Sequence, residues 1–166
     1  MFALELCDDD GVLVLASALA LKRRFASREL DYEYPRELLR AAGDEELCFW
    51  QTNEEDDVRI VIRVGKRPVP DARFIGVLGI QAGDELLAMP YSQYTMACDR
   101  GGVPEDIEGL CARIAVDPGR YACWVRPASV EAVPDGEDEA PLAFDVYLVA
   151  AAATDKPLGE VPLFER

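Results

Sequence analysis

From residue 47 onward the apolar positions fall in short runs with the period of two that places successive side chains on opposite faces of a sheet. Over residues 58–64, Val58, Ile60, Ile62 and Val64 take one face while Arg59, Val61 and Arg63 take the other. The first set is therefore expected in the core and the two arginines in solvent. Residues 74–80 are continuously apolar, as in a central strand, and Gly76 and Gly79 within it mark close packing or a bulge. Further strands are predicted at 47–52, 86–89, 91–98, 114–116, 120–125 and 142–149, separated by turn signals such as Ala82-Gly83-Asp84 and Asp117-Pro118-Gly119. Phe74, Leu78 and Val146 join Ile60 and Ile62 in the expected core.

Helical signals are fewer. Residues 35–42 open on a proline and close on Gly43, which suits a short helix, and 104–111 is a second candidate. Residues 12–25 suit two states: acids before them and cations at their end fit a helix dipole, while Val-Leu-Val-Leu fits a buried strand. The pattern as a whole predicts a mainly β, single-domain antiparallel β-sandwich-like fold with one or two short peripheral helices.

Length agrees with that reading. A chain of 166 residues, half of them hydrophobic, matches one domain with a sizeable core. The Pro- and acid-rich stretch 134–141 is too short for a domain boundary and reads as a hairpin loop. Residues 1–166 are thus expected to form a single globular domain. The apolar run 12–21 is half the length needed to cross a bilayer, and Glu5 and the acids at 8–10 stand where a secretion signal needs cations, so a cytoplasmic location is expected.

Charge narrows the partners. The net charge is −15 with 32 acids against 17 bases, which disfavours nucleic acid and anionic membrane, because phosphates are bound by Lys and Arg. A basic partner is favoured. The acidity is uneven: residues 1–57 carry 15 acids and 6 bases, 58–128 carry 8 and 9, and 129–166 carry 9 and 2. It gathers at 8–10, 44–46, 54–57 and 137–139, between the apolar runs.

The chemistry is defined by a gap, since the chain has no histidine. That removes the usual general base, the orienter of nucleophilic dyads and the commonest metal ligand together. Cysteines at 7, 48, 98, 111 and 123 form an odd set without a CxxC pair, which predicts buried free thiols and neither a zinc site nor a disulfide framework. Asp8-Asp9-Asp10-Gly11 superficially resembles a calcium loop but lacks the alternating ligands and the twelfth-position Glu of an EF-hand; with 54–57 and 137–139 it reads as a solvated turn. No metal or other cofactor is expected. Nucleophile-elbow, dinucleotide and P-loop motifs are absent, and the four serines stand at 17, 27, 92 and 129. Two catalytic candidates remain: Asp145, which interrupts an apolar strand as a glycosidase-type acid does, and Cys98, whose neighbour Arg100 offers a cation. The plain readings are an outward-facing strand position and an unactivated thiol.

Aromatic residues supply the binding candidates. Tyr32-Glu33-Tyr34 follows Asp31 and precedes Pro35, mixing large amphipathic rings with negative charge; it reads either as an anchor for a basic surface or as a loop leading into the helix. Along 120–126, Tyr121, Cys123 and Val125 face one way and Ala122, Trp124 and Arg126 the other, so one face carries either Trp124 or Tyr121 away from the core. Trp inside and Tyr at the rim is the simpler expectation, and Trp124 outside is an interface candidate. In general character the chain resembles the immunity and inhibitor proteins with which bacteria neutralise basic toxins, a likeness of class that assigns no site. The sequence thus points to a non-catalytic acidic protein-binding domain with a basic partner, the candidate contacts being Asp31, Tyr32, Glu33, Tyr34, Glu54, Glu55, Asp56, Asp57 and Trp124. The alternatives are a small-ligand or divalent-cation binder and a histidine-free carboxylate enzyme.

Overall fold

The computed structural model describes residues 1–27, 34–52, 56–100, 103–104, 107–128 and 142–164. Their elements in chain order are β1 (Phe2–Asp8), β2 (Val12–Ser17), α1 (Ala18–Ser27), α2 (Arg36–Gly43), β3 (Leu47–Gln51), β4 (Asp56–Val64), β5 (Arg73–Ile80), β6 (Leu86–Pro90), α3 (Tyr91–Asp99), β7 (Ala112–Ile114), β8 (Gly119–Pro127) and β9 (Leu142–Ala150). The strands form two sheets, one ordered β1-β4-β9-β8-β5 and the other β3-β2-β6-β7. The fold is mainly β, as the alternation requires.

Two cores explain the residue pattern. Between the sheets, Leu13 and Leu15 of β2 and Trp50 of β3 meet Ile60 and Ile62 of β4, Leu78 of β5 and Phe144 and Val146 of β9. On the far side of the smaller sheet, Val12, Val14 and Ala16 of β2 meet Leu21 and Phe25 of α1, Leu38 of α2 and Tyr94 of α3. Strand β2 is therefore apolar from Val12 to Ala16 because it is covered on both faces. Among the described residues the helices number three rather than one or two, and they form a third layer, since an apolar sheet face left in water forfeits the gain of its burial.

Residues 12–25 adopt both of the states they suit. The changeover falls at Ser17, whose Oγ accepts from the Ala20 N–H at 3.0 Å, while Asp84 Oδ1 accepts from the Leu19 N–H at 2.9 Å. These two acceptors cap the first turn of α1. Residues 91–98, expected as a strand, form α3: Pro90 is extended, and the three-residue spacing of Tyr94 and Ala97 buries both against the smaller sheet. The predicted helix at 104–111 is replaced, among its described residues, by isolated bridges of Ile107 with Cys111 and of Leu6 with Gly109, whose φ of 77° suits a glycine.

The larger sheet is mixed. Its strands pair antiparallel except β4 with β9, which run parallel from Val58 opposite Leu142 to Val64 opposite Leu148. An entirely antiparallel arrangement is thus corrected at one pair, because β9 enters between β4 and β8 and takes its direction from β8. Ile60, Ile62, Leu78 and Val146 are buried and Arg59 is exposed, as the register demands. Phe74 departs from expectation and lies half-buried on the outer face, because a bulge between Phe74 and Gly76 turns Ile75 inward. Arg63 is half-buried, held by Asp145.

At the bulge Gly76 has a φ of 145°, and a Cβ there meets Cys48 Sγ at 3.1 Å. Gly76→Ala is expected to destabilise the fold by about 1–3 kcal/mol, through backbone strain and overpacking together. A urea midpoint equal to that of the parent protein excludes this.

Candidate partner-binding surface

One end of the molecule gathers acids and tyrosines from distant parts of the chain. Antiparallel pairing of β1 with β4 sets Cys7 opposite Asp57 and Asp8 opposite Asp56, so that the acidic run ending β1 meets the acidic run opening β4. The turn from β1 into β2 is held by its own carboxylates: Asp8 Oδ1 accepts from the Asp10 N–H at 3.4 Å and Asp10 Oδ1 from the Val12 N–H at 3.1 Å. Side chains of Asp and Asn commonly close turns in this way. Gly11, at a φ of 66°, completes it, and its carbonyl accepts from the Thr52 N–H at 2.8 Å.

The start of α3 docks on the same turn. The Ser92 N–H donates to Asp10 Oδ2 at 2.6 Å, and Ser92 Oγ donates to Asp9 Oδ1 at 2.7 Å. Beside them Tyr34 stands 38% exposed, its ring 5.4 Å from that of Tyr91 and its hydroxyl donating to Gln51 Oε1 at 3.0 Å. Tyr91 in turn stacks on the buried Tyr94 at 6.0 Å, so the exposed ring rests on an ordered aromatic ladder. Burial first and then the charge of Asp10 push the Tyr34 and Tyr91 hydroxyls up from their ordinary range.

Electrostatics record the crowding of like charge. Burial, with the adjoining Asp10 carboxyl adding to it, pushes Asp8 up to about 7, and burial also raises Asp10 against the hydrogen bonds it accepts. Cys7 is raised by its contact with Asp57, then by burial, and so is no activated nucleophile. A shallow cleft of about 620 Å³ runs beside β1, lined in part by Glu5, Cys7, Asp57, Arg59 and Glu108.

Of the residues singled out by sequence, Tyr34, Asp56 and Asp57 lie at this end. Asp31, Tyr32, Glu33, Glu54 and Glu55 lie outside the described residues. Trp124 does not join them: it sits on the outer face of the larger sheet, edge-on to Phe74 at 5.3 Å. The expected placement of Trp inside and Tyr at the rim is reversed, for Tyr121 faces the core and its hydroxyl donates to the Asp117 carbonyl at 2.6 Å. Residues 8–10, Gln51, Tyr91 and Ser92 were not singled out for binding. The local signal for Tyr91 is Pro90, which stops a strand and precedes a helix.

The two catalytic candidates are placed differently. Asp145 lies buried on the outer face of the larger sheet between Arg63, at 2.9 and 2.8 Å, and Arg126, at 3.1 and 2.8 Å. Burial raises its pKa, but hydrogen bonds from both arginines overcome this and hold it below the ordinary carboxylate range. A glycosidase-type acid needs the opposite shift. Cys98 is raised by burial rather than lowered by Arg100, and Cys48, Cys111 and Cys123 are buried free thiols. No helix among the described residues is long and apolar enough to cross a membrane.

No protein-family model matches the chain, and no curated protein matches it in sequence. Among solved structures it is similar to crocagin biosynthetic gene J, with a TM-score of 0.52 at 17% identity over 91% of this chain and 96% of that one. At that identity the likeness is one of fold.

Proposed function

We propose that this protein is a non-catalytic binding domain that docks a basic protein partner through the acidic and aromatic end described above. The observation that carries the reading is the β1–β4 register, which joins residues 8–10 to Asp56 and Asp57 beside the supported rings of Tyr34 and Tyr91. Rings held in place lose little freedom on binding, and a surrounding field of one sign steers an oppositely charged partner into contact. With a net charge of −15, an inhibitor or immunity-type role in the cytoplasm, against a basic toxin, suits these features.

The candidate partner is the product of an adjacent reading frame, if that product is basic, and the test is surface plasmon resonance with it across a salt series. Association is expected to slow steeply with salt, since a Debye length of about 8 Å at physiological ionic strength still lets neighbouring carboxylates act together. Amide substitutions at Glu54, Glu55, Asp56 and Asp57 are expected to lower the association rate, and Tyr34→Ala to raise the dissociation rate. An association rate indifferent to salt and to the four amides rejects this surface.

A further inference from the structure

The turn between β1 and β2, whose carboxylates also belong to the proposed docking end, holds a second feature. Asp8, Asp9 and Asp10 each offer a carboxylate oxygen, and these three oxygens lie within 4.8 Å of one another. Three oxygens at the usual calcium distance of about 2.3–2.6 Å from one ion have that spread. Asp8 is only 2% exposed, and among the described residues its Oδ2 has no hydrogen-bond partner. A buried carboxylate oxygen without a donor carries a large desolvation cost, and here the adjoining group is another carboxyl, that of Asp10. Among the described residues no lysine or arginine pairs with Asp8, Asp9 or Asp10. The other two ligands are already held: the Ser92 backbone and hydroxyl fix Asp10 and Asp9, and the Val12 N–H fixes the remaining Asp10 oxygen. Such outer partners orient ligating carboxylates in known metal sites.

We propose that the β1–β2 turn is a divalent-cation site of the calcium class, with Asp8, Asp9 and Asp10 as its protein ligands. The EF-hand spacing is missing because the ligands come from one turn braced by a distant helix. Calcium tolerates this irregular geometry, whereas magnesium demands a near-ideal octahedron and parts reluctantly with water. The site does not depend on partner docking.

Isothermal titration of calcium chloride into chelator-treated protein is expected to give one saturable site. The melting temperature is expected to rise by about 5–10 °C at about a hundredfold excess over Kd. Magnesium is expected to bind at least tenfold more weakly. Asp8→Asn is expected to lower calcium affinity at least tenfold while the variant stays folded, since it removes a buried charge. Asp9→Asn, at an exposed position, repeats the test where folding is not at stake, and Glu160→Gln, exposed elsewhere, is expected to leave affinity unchanged. Absence of a saturable heat, or unchanged affinity in both Asp8→Asn and Asp9→Asn, overturns the site; equal affinity for magnesium overturns its calcium class.

Discussion

Replacing Arg24 with alanine is expected to cost about 3–5 kcal/mol of stability, because it leaves a buried carboxylate without its counter-charge. Arg24 is 6% exposed, and its guanidinium bonds Glu37 at 2.7 Å, Asp44 at 2.8 Å and Glu46 through Nε. The three partners differ in what they lose. Asp44 and Glu46 reach water, whereas the Glu37 side chain is 7% exposed and keeps an oxygen only 3.9 Å from Arg40. The cost therefore falls on the contact of α1 with α2. Pairing Arg24→Met with Glu37→Leu is expected to recover much of it, since exchanging both ions for apolar groups removes the stranded charge. Chemical denaturation with an unchanged m-value reads both variants, and a single mutant within 1 kcal/mol of the parent, on the order of an exposed pair, contradicts the expectation.

Asp145→Asn is expected to cost about 2–4 kcal/mol, by placing Arg63 and Arg126 side by side without their shared carboxylate. Its pH dependence has a definite sign. The native carboxyl titrates below its unfolded value, so the unfolded state binds more protons as pH falls through about 4. The stabilisation is present above the unfolded pKa and is lost as pH falls through the native one. Urea midpoints of the parent are thus expected to drop more steeply on acidification than those of Asp145→Asn. Parallel curves exclude the arrangement.

The alternation at 58–64 was legible because that strand has one face against the core, which local pattern records directly. Strand β2 and helix α1 were ambiguous for a physical reason: burial on two faces erases the period that separates strand from helix. Helix α3 was misread because Tyr91 and Tyr94 have strong strand propensity, which tertiary packing overrode. The parallel pairing of β9 has no local signature, since strand direction is decided by neighbours far along the chain. The binding surface follows the same division. Tyr34, Asp56 and Asp57 could be suspected from composition, whereas Ser92 meets Asp10 across 82 residues of sequence, a contact that no window contains. Trp124 shows the limit of alternation, which separates two faces without saying which is inner; the β5 bulge that sets Phe74 opposite Trp124 on the outer face comes from a different strand.

Strand β9 lies in the middle of the larger sheet, between β4 and β8, although it is made after both. During synthesis, β1 can pair with β4 and β5 with β8, but each pair must wait with one unpaired edge until residues 142–150 emerge from the ribosome. Such edges template pairing between chains. A nascent chain stalled before β9 therefore carries two adhesive ribbons rather than a sheet lacking an appendage, and the interval before the last strand arrives is when self-association competes most strongly with folding.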